Sequence, residues 1–142
     1  MKLSFPRGIH PPQFKETAEL PIVKVEPEKG SLLVYPMVQH IGEPNKPRVI
    51  EGDTVLVGQK IGEADAHVSS PVLSSVSGGV KSVSSSEIVI ENDGEYNQLD
   101  HDKLEYASIS ADEILERIRD AGIVGLGGAG FPTSVKLDPP VD

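Results

Sequence analysis

The 142-residue sequence has no cysteine and no tryptophan, and aromatic residues make up only 4% of it. Without cysteine, disulfides, thiolate zinc sites and iron–sulfur ligation are excluded within these residues. That suits a reducing compartment. No cluster of Lys and Arg occurs and the net charge is −9, which excludes the basic face of a nucleic-acid-binding domain. The acidic surface also disfavours direct contact with anionic lipid. Long apolar runs are missing too. The stretch from Met1 to His10 is neither a signal peptide nor a membrane span. No direct membrane insertion by these residues is expected, and any membrane attachment must come through partners or through further sequence. The four histidines (His10, His40, His67, His101) are scattered, His67 reads as a surface residue, and no metal ligand or catalytic residue is assigned.

What is present points to a turn-rich β protein. There are 14 Gly and 12 Pro, and hydrophobic residues reach 37%, so a core of Val, Ile and Leu is expected. Residues 1–20 are interrupted by Pro11 and Pro12, which forbids a helix there and suggests an extended strap over a neighbouring sheet. Residues 21–94 carry short strand-like runs: Ile22–Val25, Leu32–Tyr35, Thr54–Val57, Gly79–Val83 and Glu87–Ile90. Turns are expected at Lys29-Gly30, Gly52-Asp53, Gly58-Gln59, Ser77–Gly79 and Asn92–Gly94, with an exposed serine turn over Ser82–Ser86. This punctuation indicates a small barrel or sandwich. Residues 95–109 read as a polar connector.

The period then changes. Ser110-Ala-Asp-Glu113 is a capping box, followed by an apolar stripe at Ile114, Leu115 and Ile118 and by Gly122 as a left-handed stop. The pattern predicts a helix over 111–121. Nothing in Lys136–Asp142 resembles a natural terminus, so the chain is expected to be the front part of a longer protein.

Residues 49–80 resemble biotinyl/lipoyl domains, which have a barrel-sandwich hybrid fold. Such domains carry a modifiable lysine on a hairpin tip. The matching stretch, Glu63-Ala-Asp-Ala-His-Val68, has none, and a swinging-arm carrier needs that amine. A structural docking barrel is the expectation instead.

Gly125, Gly127 and Gly130 match G-x-G-x-x-G, but no long strand precedes them and no acidic partner follows, so a standard dinucleotide fold is rejected. Glycines let a backbone approach an anion closely. Phe131 supplies a flat apolar face, Pro132 is placed to start a helix at its first position, and Lys136 lies about one turn on. Two readings stand, a mononucleotide cradle and a glycine-rich linker, with the cradle favoured by Phe-Pro-Thr and the spaced lysine.

Gly127–Thr133 with Lys136 resembles the flavin loop of the NADH-oxidising subunit of respiratory complex I. Arg7–Pro12, Gln39-His-Ile-Gly42, Gly52-Asp53, Gly58-Gln59, Ser70-Pro-Val72 and Ser75–Gly78 extend the resemblance to the RnfC family, which belongs to the Rnf ion-translocating electron-transport complexes. It runs from about Phe5 to the end. The resemblance implies a barrel-sandwich hybrid (21–94), then one helix and the start of an α/β flavin-binding domain (110–142). It implies a peripheral subunit on the cytoplasmic side of the cell membrane that passes electrons from NADH through FMN to iron–sulfur clusters, with the other Rnf subunits as partners and ion translocation as the coupled process. By motif position Gly125, Gly127, Gly128, Ala129 and Gly130 would line FMN, Phe131 would face the nicotinamide and Lys136 would contact the flavin phosphate or ribose. Leu126 stands where the complex I motif has Arg, and Ser134 where it has Gly. Cluster ligands are absent from these residues, so the chain by itself is expected to be inactive.

Overall fold

A computed structural model describes residues 15–103 and 108–138. Most of the expected N-terminal strap, and residues 104–107 of the connector, lie outside the described residues. Residues 15–28 are exposed throughout and form turns and coil. The strand expected at Ile22–Val25 does not form: Ile22 and Val25 are fully or nearly fully exposed, and no neighbouring strand offers a ladder to this segment. A β-branched run without a pairing partner has nothing to hold it as a strand.

Regular structure begins with β1 (Leu32–Pro36), β2 (Lys46–Pro47), β3 (Thr54–Val55), β4 (Lys60–Glu63), β5 (Val72–Leu73), β6 (Gly78–Val83) and β7 (Glu87–Asn92). They make a four-stranded sheet in the order β1-β7-β6-β3 and a three-stranded sheet in the order β2-β4-β5. Every pairing is antiparallel. Between the sheets lies a core of Met37, Val55, Ile61, Val72, Val76, Val80, Ile88 and Ile90, with Tyr35 and Val49 at its margin. It is built from Val and Ile, as the scarcity of aromatics requires. In β7 the burial alternates, with Ile88, Ile90 and Asn92 inward, which is the period of two expected of a half-buried strand.

Ser77–Gly79 is not a turn. Gly78 and Gly79 open β6, because the backbone of β7 comes so close that a side chain at Gly78 would overlap the carbonyl of Glu91. The actual hairpin turn joins β6 to β7 at Ser84–Ser86, where the Ser84 hydroxyl accepts from the Glu87 amide at 3.1 Å.

The connector is more ordered than its polarity suggests. The amide of Val57 donates to Asn97 and that of Leu99 donates to Val57, both at 2.9 Å. The Tyr96 hydroxyl donates to the Pro27 carbonyl at 2.8 Å.

The helix α1 (Ala111–Asp120) has the full capping box between Ser110 and Glu113. It ends in a Schellman closure: Gly122 at φ +64 donates to Arg119, and Ile123 donates to Ile118. A two-stranded hairpin follows, β8 (Val124–Gly125) with β9 (Phe131–Pro132), then the five-residue helix α2 (Thr133–Leu137). Pro132 is the N-cap of α2, not its first residue, because it is still paired to Val124 in the hairpin. Leu115 and Ile118 of α1 are half-buried and Ile114 is exposed.

Candidate functional site

The glycine segment is the tip of the β8–β9 hairpin. Residues 126–129 form the turn, and the strands bring Gly125 opposite Phe131. The glycines divide into two kinds. Gly130 has φ +67, and a Cβ there would sit 3.1 Å from the Gln39 carbonyl oxygen and from the His40 Cα. The chain's own packing therefore demands glycine at 130. Gly127 and Gly128 are different: a Cβ at either would meet nothing within 4 Å, and neither has a left-handed backbone. Leu126 beside them is 91% exposed and Phe131 is 42% exposed. Lys136 is exposed near the C-terminal end of α2.

The hairpin sits on the barrel. The amide of Ile41 donates to the Ala129 carbonyl at 3.1 Å, while the Thr133 amide, donating to Ile123 at 3.0 Å, closes the base of the hairpin itself. Further along the same junction, Lys60 of β4 binds Asp120 of α1 at 2.6 Å, and Arg119 donates to the Ala66 carbonyl at 3.2 Å. A Cβ on Gly122 would lie 3.0 Å from the Pro71 carbonyl oxygen. The ammonium of Lys60 is drawn down by burial, but the carboxylates of Asp120 and Glu63 outweigh this and hold its pKa above the ordinary lysine range. Lys60 thus stays charged and offsets Asp120, an acid that the negative end of the α1 dipole would otherwise disfavour.

The stretch aligned with the lysine-bearing tip of lipoyl domains is part of this platform. Ala64, Ser69 and Ser70 are buried, and the Ser69 hydroxyl contacts the carbonyls of Ala66 and Ala64 at 2.7 and 3.2 Å. His67 is exposed and helps line a cleft of about 360 Å³ with Asp112, Glu116 and Arg119. Within Glu63–Val68 only Ala64 is buried and Asp65 and His67 are exposed; α1 touches this stretch where Arg119 donates to the Ala66 carbonyl.

One buried polar cluster at the junction is not evident from the scattered histidines. His40, Asn45 and Ser70 are all at least nine-tenths buried. Asn45 Nδ2 lies 3.1 Å from His40 Nε2 and donates to the Ser70 carbonyl at 2.9 Å. The signal lies in the Gln39–Gly42 and Ser70–Val72 motifs, whose contact with each other only the fold reveals. Among the described residues no group of three or more His, Asp or Glu side chains could hold a metal ion. No helix among them is long and apolar enough to cross a membrane.

Residues 3–97 match the family model described as the RnfC barrel sandwich hybrid domain. The chain is 43% identical to the C component of the Na⁺-translocating ferredoxin:NAD⁺ oxidoreductase complex of Acetobacterium woodii, over 98% of this chain and 34% of that protein. It is 40% identical to the C component of the proton-translocating ferredoxin:NAD⁺ oxidoreductase complex of Clostridium ljungdahlii, over 100% of this chain and 33% of that protein. It is 32% identical to the C component of the ion-translocating oxidoreductase complex of Serratia proteamaculans, over 94% of this chain and 20% of that protein. The chain thus spans about a third or less of the length of these curated relatives. On the family match over residues 3–97 and these identities, the chain belongs to the RnfC family, which it joins through its barrel-sandwich hybrid domain.

Proposed function

We propose that this chain is the N-terminal part of a peripheral subunit that carries electrons from NADH through FMN to iron–sulfur clusters, on the cytoplasmic side of a membrane complex that translocates ions. The observation that carries the flavin part is the division among the glycines. Packing within the chain accounts for Gly130, but neither packing nor backbone conformation accounts for Gly127 and Gly128. Bare backbone facing open space is what a bound mononucleotide requires. The residues fit FMN in kind: exposed Gly125, Gly127, Gly128 and Ala129 offer close backbone approach, with buried Gly130 anchoring the turn to the barrel, exposed Phe131 offers an apolar face towards a nicotinamide, and exposed Lys136 offers a cation for a phosphate or ribose. FMN held there would supply a hydride acceptor, and these residues would supply orientation and electrostatics. The cluster ligands belong to sequence outside this chain, so the chain alone is expected to oxidise no NADH.

A second reading is a non-catalytic docking module for subunit assembly. The stretch Glu63–Val68 supports it, because it meets α1 at the Ala66 carbonyl and carries no modifiable lysine.

The full-length protein separates the two. Gly127→Val is expected to abolish flavin absorbance in the purified protein while leaving the barrel folded. Unchanged flavin content in that variant would sink the cradle and leave the docking module.

A further inference from the structure

The polar cluster beneath the hairpin has a definite hydrogen-bond logic. His40 Nδ1 lies 3.0 Å from the Ile41 carbonyl oxygen, which can only accept, so Nδ1 carries the proton. Its Nε2 faces the Ser70 amide at 3.1 Å and the Asn45 side-chain amide at 3.1 Å, which both donate, so Nε2 is bare. The partners fix one neutral tautomer. Asn45 is held in turn by its second hydrogen, given to the Ser70 carbonyl, and by its own amide, given to Met37 at 2.9 Å. Gly42 completes the turn: at φ +121 it passes so close to Val68 that a side chain there would overlap the Val68 carbonyl. The Glu43 amide donates to that carbonyl at 3.2 Å.

The upper face of this cluster is what the hairpin touches. The Ile41 amide reaches Ala129, and Gly130 rests on the Gln39 carbonyl and the His40 Cα. We infer that His40, locked by Asn45 and the Ser70 backbone, is a positioning residue for the glycine hairpin: it fixes the 39–42 backbone into a seat that sets where Gly127 and Gly128 stand. This rests on the reading of the hairpin as a flavin cradle, and adds to it the element that orients the cradle. The groups take unequal shares. Asn45 and His40 act through their side chains. Ser70 acts through its backbone only, because its hydroxyl has no hydrogen-bond partner among the described residues.

Amide hydrogen exchange on this chain tests the seat without any flavin. In His40→Ala, exchange at Ile41 and Thr133, whose amides donate to Ala129 and Ile123, is expected to rise at least about tenfold, while Ile88 and Ile90 in β7 keep their protection. His40→Gln retains an acceptor near the Nε2 position and is expected to restore most of the protection. His40→Asn is too short to reach Ser70 and is not expected to do so. Ser70→Ala is expected to match the parent chain. Gly130→Ala attacks the contact from the hairpin side, leaves the cluster intact, and is expected to loosen the same amides. Protection unchanged in His40→Ala, or lost equally through β7, would overturn the inference. In the full-length protein, His40→Ala is expected to weaken FMN binding about tenfold, with rescue by His40→Gln. A loosened hairpin with unchanged FMN affinity would support the seat and overturn the flavin role of the hairpin.

Discussion

The barrel and the segment after it are stabilised in different ways. In the barrel, eight Val, Ile and Met side chains pack together at 4% exposure or less. In α1 no residue is buried. The barrel holds itself by apolar burial. The helix and hairpin hold by capping, by a few polar contacts to the barrel, by half-buried Leu115 and Ile118, and by buried Gly130 and Pro132 in the hairpin. Low local stability is where ligand-binding elements are commonly found.

The largest expected effect tests the barrel side. Ile90 is fully buried in β7, paired on both edges by Leu33 of β1 and Val80 of β6. Ile90→Ala truncates the side chain at the centre of the core and is expected to cost about 2–5 kcal/mol, read from urea unfolding. The hairpin and α1 should lose protection in the same transition, since their platform melts with the barrel. A loss below about 1 kcal/mol would mean that the core is looser than its burial indicates.

The next effect falls on the other side. Ser110→Ala removes the N-cap of α1 and is expected to cost about 1 kcal/mol, visible as faster exchange in α1 with β7 unchanged. The box also has a pH signature. The amide and then the hydroxyl of Ser110 hold the Glu113 carboxyl below its ordinary range. A carboxyl whose folded pKa is depressed stabilises fully above the unfolded value, roughly 4.3, and its contribution is lost as pH falls through the folded value. α1 protection should therefore fall on acidification below about pH 4, and Glu113→Gln should flatten that part of the profile. An identical profile in Glu113→Gln would show that the box has no such role.

The contrast is only partly legible in the sequence. Capping box, stripe and Gly122 are local signals, and α1 follows them within a residue. Leu32–Tyr35 and Glu87–Ile90 carry enough apolar period to be read as strands. Ile22–Val25 is as rich in strand-favouring residues and forms none, because strand formation depends on a partner that composition does not encode. Gly78 reads as a turn residue, yet glycine is demanded there by the non-local approach of β7. For the site, the motif picks out the glycines and Phe131 but not the seat beneath them. His40 and Ser70 are thirty residues apart, and only the closed barrel makes them neighbours.

The smallest expected effect lies where the two regions meet. Asp120 binds Lys60 across the junction with its side chain about half exposed. Exposed ion pairs of this kind contribute roughly 0–1 kcal/mol. Asp120 also sits at the C-terminal end of α1, where a negative charge costs about 0.3–1 kcal/mol. Asp120→Asn removes both, so the net change in unfolding free energy is expected to fall within about 0.5 kcal/mol of zero. Lys60 keeps Glu63 at 3.3 Å as a partner, which limits the loss further. The position of α1 should be more sensitive than the stability: with one of its few polar ties to β4 gone, exchange at Ala121 and Gly122 should rise roughly two- to threefold while β7 is unaffected. A stability loss above about 1.5 kcal/mol would show that this junction is held by charge as firmly as the barrel is held by its core, and the distinction between the two regions would have to be withdrawn.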